Sequence, residues 1–266
     1  MAAESTPDLV RLAELSEARC LEARYAAAGD ETREALGIAH TRIGGAVVGV
    51  LGQEPTGRWN QVVGLGIEEA LTAEMLDEVI EFAHGAEGLV LRLAPGADPE
   101  GLLAHRGLTH QGASARFLAP GGFIAEAETG LHLEQITPDL GRHVARVVGE
   151  ALGLPEDSPL ARWYAEGLRA PGTTAYAAFD GWTIVAVASL FVDGDRAVLS
   201  GAATLPGERG RGAHSGLVAR RIFDANALGV RWTIAAAGTR PDPALRNLRR
   251  LGLPESYERQ NWLWRP

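Results

Sequence analysis

At 266 residues, 46% hydrophobic and 22% charged, the chain can form one large domain or two ordinary ones and has the composition of a soluble globular protein. A formal charge of −9 argues against nucleic acid as a partner, and the absence of lysine excludes both a Schiff-base lysine and a GKS/T phosphate loop. The single cysteine, Cys20, excludes an internal disulfide; no apolar run nears the ~20 residues that span a bilayer, and "MAAESTPDLVRL" is acidic where a secretory leader is basic, so no membrane and a cytoplasmic location are expected.

The first half begins with "TPDLVRLAEL", where Thr6 is suited to cap a helix with Pro7 at its first position. "GGAVVGVLG" and "NQVVGLGI" predict strands. "TAEMLDEVIEFAHG" predicts a helix capped by Thr72, with Met75, Leu76, Val79, Ile80 and Ala83 on one face and Gly85 as its stop. "GLVLRLAP" reads as a buried strand, "DPEGLLAHRG" as a short helix and "ASARFLAP" as a closing strand. "APGGF", residues 119–123, is the best linker, which divides the chain into units 1–120 and 125–266.

After the linker the order of elements repeats. "TPDLGR" at 137–142 matches "TPDLVR" at 6–11 in five of six positions, and "NLRRLGLPESYERQNWL" at 247–263 aligns with "LLAHRGLTHQGASARFL" at 102–118. "TTAYAAFDGWTIVAVASLFVDGDRAVLSGAATL" predicts three strands joined by tight turns at "DG" and "DGD", an antiparallel meander. A glycine-rich turn, a helix ending near Gly229, the strand "RWTIAAA", a helix "PALRNLRRLG" and the strand "SYERQNWLW" follow. Meander plus β-α-β-α-β makes a mixed sheet of α+β or α/β type.

The turn "TLPGERGRGAH" stands between a strand and a helix with Leu217, Val218, Ile222 and Ala225 at helical spacing, an arrangement that offers amides and a helix N-terminus to an anion. "RGRGAH", then "LRNLRRLGL", then Tyr257 in "ESYERQNWLW" resemble, across about residues 130–266, the GNAT superfamily of acetyl-CoA-dependent N-acetyltransferases, whose loop reads Arg/Gln-x-x-Gly-x-Gly/Ala. His214 departs from the last position of that pattern.

The resemblance implies two GNAT-like domains with the acyl-CoA N-acyltransferase fold, and acetyl-CoA as cosubstrate without a metal. It implies acetyl transfer to a primary amine of a small molecule or peptide, which attacks the thioester directly. It places Arg209, Gly210, Arg211, Gly212, Ala213 and His214 around the coenzyme's diphosphate, backbone amides of Ala203, Thr204 and Leu205 at the thioester carbonyl, and Tyr257 as general acid. It also implies an acceptor pocket lined by "EDSPLARWYAEGLRA" and by loops near 175–190. Glu208 reads as a solvated charge, Asn247 as a cap or surface residue, and His105, His110, His132 and His143 share no metal-ligand spacing.

At the place of the glycine-rich turn the first half reads "GLGIEEALTAEML", where Glu68, Glu69 and Glu74 would repel a diphosphate. It is read as a degenerate copy that keeps the fold without the coenzyme, as a separate α/β domain of no common origin, or as a protein-interaction module that delivers the second half to a partner. A coenzyme-A-binding sensor without turnover is the alternative for the whole chain. A homodimer is compatible with the sequence.

Overall fold

Period-2 apolar patterns become strands of a single eleven-stranded sheet, and the helical patterns cover its two faces. A computed structural model describes residues 6–98, 100–155, 157–238 and 242–266. The first half contains α1 (Thr6–Ala26), α2 (Asp30–Leu36), β1 (Ile38–Ile43), β2 (Ala46–Leu51), β3 (Gln61–Val63), α3 (Ala73–Phe82), β4 (Leu89–Leu93), α4 (Leu102–His105) and β5 (Thr109–Pro120). The second contains β6 (His132–Ile136), α5 (Gly141–Leu152), α6 (Pro159–Glu166), β7 (Thr173–Asp180), β8 (Thr183–Asp193), β9 (Arg196–Thr204), α7 (Ala213–Ala227), β10 (Trp232–Gly238), α8 (Pro243–Arg250) and β11 (Glu255–Trp264).

The strand order is β1-β2-β3-β4-β11-β5-β10-β9-β8-β7-β6. Pairing is antiparallel except for β3–β4 and β9–β10, whose crossovers are α3 and α7. The expected repeat is visible in this order: β1 to β4 and β7 to β10 follow the same path. The closing strands, however, are exchanged. β5, from the first half, lies against β10, with Trp232 opposite Pro120 and Gly238 opposite Ser114. β11, from the second half, lies against β4, with Trp264 opposite Leu89 and Gln260 opposite Leu93. β5 and β11 pair with each other at the centre, so the sheet runs unbroken through both halves.

Alternation assigns the faces of the first half. Val48 and Val62 pack with Leu76 and Val79 of α3, whereas Val47 and Val63 pack with Ala18, Leu21 and Tyr25 of α1. Farther along, α1 sets Ala13 and Cys20 against Leu118, Phe191, Val198 and Ile234, so this one helix covers strands of both halves. Its inner face also carries two acids. Glu14 and the Arg259 guanidinium are both closed to solvent, with Arg259 Nε 2.9 Å from Glu14 Oε1. Arg259 Nη1 lies 2.9 Å from Glu17 Oε2, and Arg116 Nε lies 2.8 Å from Glu17 Oε1. The ion cluster therefore fastens α1 to the two exchanged strands.

Candidate functional site

The site forms where β9 and β10 part. Their parallel pairing holds from Arg196 and Trp232 to Leu199 and Ala235, and both strands then continue unpaired with each other. β9 also carries a bulge: Ser189 faces Ser200 and Val187 faces Ala203, so two residues of β9 stand against one of β8. Gly201, at φ +63°, makes the bulge, and a Cβ there would come 2.8 Å from Ser189 Oγ. Carbonyls freed at the bulge are satisfied by the buried Arg221, whose Nη1 donates to Ser189 O at 2.8 Å and Ser200 O at 3.2 Å.

Two clefts open on this gap. One, of about 640 Å³, runs beside the glycine-rich turn and the start of α7. Ala203, Thr204, Arg209, Gly210, Gly212, Ala213 and His214, all expected there, line it. Leu205 and Arg211 do not. The Leu205 N–H donates to Val185 O at 2.9 Å, within the sheet. Strand alternation then turns the Thr204 N–H toward the open edge. Arg211 turns outward to ion-pair with Asp180 and Glu208, which raise its already high pKa. Glu208, read as a solvated charge, is the second of those partners.

Gly212 is the N-cap of α7 at φ +82°, and a Cβ would come 2.5 Å from Glu128 O. No side chain caps this helix, and its first ladder bond is Gly216 N–H to Gly212 O at 2.8 Å. The amides of Ala213, His214 and Ser215 are thus left for whatever occupies the groove. The corresponding helix in the first half, α3, is closed instead: Thr72 Oγ1 accepts from the Met75 N–H at 3.2 Å. The preceding turn is built around buried Leu65 and Leu71, and Glu68 lies 3.8 Å from Arg11.

Residues without an expected role complete the groove. Arg246, Asn247 and Arg250 project from α8, and Arg250 donates to Ser215 Oγ at 2.9 Å and Asn247 Oδ1 at 3.2 Å. Their signal in the sequence was the i, i+4 spacing of Arg246 and Arg250 on the second helix after the glycine-rich turn. Asn247, read as a cap or surface residue, has its Nδ2 3.3 Å from His214 Nδ1. With the amide as donor, His214 carries its proton on Nε2 when neutral. Burial, then the Arg221 cation, lower the His214 pKa to about 4, with Asp242 opposing.

The second cleft, of about 350 Å³, meets the first at Ala202, His214, Asp242 and Ala244. Its walls include Ser200 and Gly201 of β9, Ala236 to Gly238 of β10, Arg92 of β4, and Glu17, Cys20 and Arg24 of α1. The first half therefore supplies much of it. Of the expected lining, Tyr164, Gly167, Leu168 and Ala170 from residues 156–170, with Tyr176 and Val187 to Ser189 from the segment 175–190, border a small cavity that shares Cys20, Arg24, Ser200 and Gly201 with this cleft. Tyr164 also stacks under Arg24, 5.2 Å from ring centre to guanidinium carbon. Glu156 lies outside the described residues.

Tyr257, expected as general acid, is in neither cleft. Its strand β11 joins β4 and β5 rather than β10, and its hydroxyl donates to Glu14 Oε1 at 2.6 Å. Burial, then the Glu14 carboxylate, push its pKa far above the ordinary phenol value.

No protein-family model matches the sequence, and no curated protein does. Solved structures are similar in fold. A GCN5-related N-acetyltransferase from Sphaerobacter thermophilus superposes with a TM-score of 0.58 at 18% identity, covering 99% of this chain and 95% of that one. One from Kribbella flavida gives 0.56 at 19% identity over 90% and 94%. A tandem GNAT protein from the clavulanic acid biosynthesis pathway gives 0.52 at 15% identity over 83% and 78%. The chain has the GNAT fold, a mixed α+β acyl-CoA N-acyltransferase architecture with tandem GNAT neighbours.

Proposed function

We propose that the chain is an acetyl-CoA-dependent N-acetyltransferase acting on a primary amine, with a single working site in its second half. The observation that carries this reading is the junction of the two clefts at Ala202 and His214, where β9 and β10 part. The larger groove suits coenzyme A by its donor set. Uncapped amides of Ala213 to Ser215 match a diphosphate, and the guanidiniums of Arg209, Arg246 and Arg250 match its negative charge and that of a further phosphate.

Acetyl-CoA supplies an acyl thioester, on which an amine forms the C–N bond as the C–S bond breaks, one proton leaving the ammonium and one reaching the thiolate. The Thr204 N–H and the His214 Nε2–H, both on residues that line the groove, are the donors that would polarise that carbonyl. With its pKa lowered to about 4 the His214 imidazole is neutral in the neutral range, and with Nδ1 accepting from Asn247 its Nε2–H is left to donate. The proton of the acceptor leaves through the open second cleft to water. Tyr257 has no part in this scheme.

Calorimetry and a thiol-release assay test the proposal. One acetyl-CoA is expected per chain, bound at least tenfold more weakly by Gly212→Glu, which puts a carboxylate among the amides and a side chain at φ +82°. Two molecules per chain would give the first half a site of its own, and none would end the reading. Binding without thiol release from any amine would leave the alternative, a non-catalytic acyl-CoA-binding sensor.

A further inference from the structure

The second cleft is positively charged in a molecule whose formal charge is −9. Three guanidiniums in its wall, Arg24, Arg92 and Arg221, lack carboxylate partners among the described residues, and of these Arg221 is engaged by the Leu217, Ser189 and Ser200 carbonyls. Arg24 has its guanidinium carbon 5.2 Å from the Tyr164 ring centre and 5.9 Å from that of Trp163. Stacking of this kind fixes the plane of the guanidinium and leaves its N–H edge free. Arg92 reaches the cleft from β4, and its Nε is shut off from solvent without a hydrogen-bond partner.

The acids beside Arg92 are already committed. Glu17 is held by Arg116 at 2.8 Å and Arg259 at 2.9 Å, and Glu14 by Arg259 and Tyr257. Glu14 and Glu17 thus face Arg92, Arg116 and Arg259, which leaves one positive charge in excess before Arg24 is counted. Burial, then Arg116 and Arg259, press the Arg92 pKa down to about 10, with Glu17 and Tyr164 opposing but not offsetting them. An unpaired guanidinium at such a depth is costly, and an anionic ligand relieves that cost. Arg24 and Arg92 both bear on Tyr164 and on Tyr25, so they act on one region.

The far end of the same cleft has the opposite sign. Asp242 lies at the junction with the coenzyme groove, its Oδ2 accepting from Gly238 N–H at 2.6 Å and its Oδ1 from Ala244 N–H at 2.7 Å. A carboxylate beside the reacting centre and two guanidiniums farther in suit a ligand that is cationic at one end and anionic at the other.

We infer that the acceptor is a small amine that also carries an oxyanion, a carboxylate or a phosphate, which Arg24 and Arg92 bind while the amine faces His214. This rests on the acyl-transfer reading for the fate of the amine, but the oxyanion site stands on the cleft alone. It assigns the first half a role in choosing the acceptor, since both arginines belong to it.

Calorimetry separates the two ideas. The wild-type protein is titrated, with and without acetyl-CoA, with glycine, L-glutamate and L-phenylalanine against their carboxamides, and with phosphoethanolamine against ethanolamine. At least one oxyanion-bearing amine is expected to bind at least tenfold more tightly than its neutral counterpart, with affinity falling as salt rises. The members of the panel that bind distinguish carboxylate from phosphate. Arg92→Met and Arg24→Met should each cost that ligand at least tenfold and leave acetyl-CoA affinity unchanged. Arg92→Lys, which keeps the charge, should recover part of the loss. Equal binding of charged and neutral partners, binding indifferent to either arginine, or no binding by any of the panel would overturn the inference. Oxyanion binding in a protein that takes up no acetyl-CoA would overturn the acyl-transfer reading and leave this site standing.

Discussion

A phenol donating to a buried carboxylate contributes to stability, and Tyr257 gives its hydroxyl to Glu14 at 2.6 Å. Removing that donor leaves Glu14 with less compensation in a site closed to water, a loss of about 1–3 kcal/mol. Tyr257→Phe is therefore expected to lower the urea midpoint while changing kcat by less than about twofold, the groove being untouched. A tenfold fall in kcat at unchanged stability would return Tyr257 to the mechanism. That Gly210, Gly212 and His214 share one groove was legible because the turn is local: it is written in six consecutive positions. The place of Tyr257 outside both clefts was not legible, for the opposite reason. Its neighbours come from the start of the chain, and no spacing within "ESYERQNWLW" reveals Glu14. Arg24 and Arg92 were hidden in the same way, since what sets them apart is a missing partner in three dimensions.

Among the elements, α1 has the most to hold together. Its acids tie β5 and β11 to one helix, and Glu17 keeps its charge against burial because Arg116, Arg259 and Arg92 outweigh the desolvation. A carboxyl with a folded pKa below its unfolded value binds fewer protons in the native state, so its stabilisation is complete above the unfolded value of about 4.3 and drains as pH falls below it. Unfolding free energy measured in urea from neutral pH to about pH 3 should fall more steeply in wild type than in Glu17→Gln. At neutral pH the variant should be less stable by about 3–5 kcal/mol, the cost of breaking a buried ion pair from one side. Parallel curves for the two proteins would remove Glu17 from the account. The helices and hairpins themselves were largely legible: the meander of β7 to β9, the cap at Thr72 and the apolar stripe of α7 all follow from local pattern. Strand partnership was not. β5 and β11 have similar apolar patterns and both follow a short helix, so nothing in either string distinguishes pairing within a half from pairing across halves.

For the molecule as a whole, the exchange of closing strands decides what can be separated. Cutting the chain at its linker gives 1–120 without β11 and 125–266 without β5, and each fragment exposes an unpaired edge, at β4 or at β10. Bare edges of this kind aggregate. Expressed alone, each half is expected to be insoluble or non-native, and expressed together they should assemble into a soluble pair with the native circular dichroism spectrum. Two soluble, monomeric, natively folded halves would contradict that expectation.

The reciprocal exchange also sets a timetable for birth on the ribosome. β4 ends at Leu93, yet the strand that seals its edge is not complete until Trp264. At roughly 5–20 residues per second, the amino-terminal sheet must wait of the order of ten seconds or more for its last member. During that interval its half-built edge is a natural client for a chaperone. Whatever chemistry the first half has, the second cannot close its sheet without it, because β5 lies against β10.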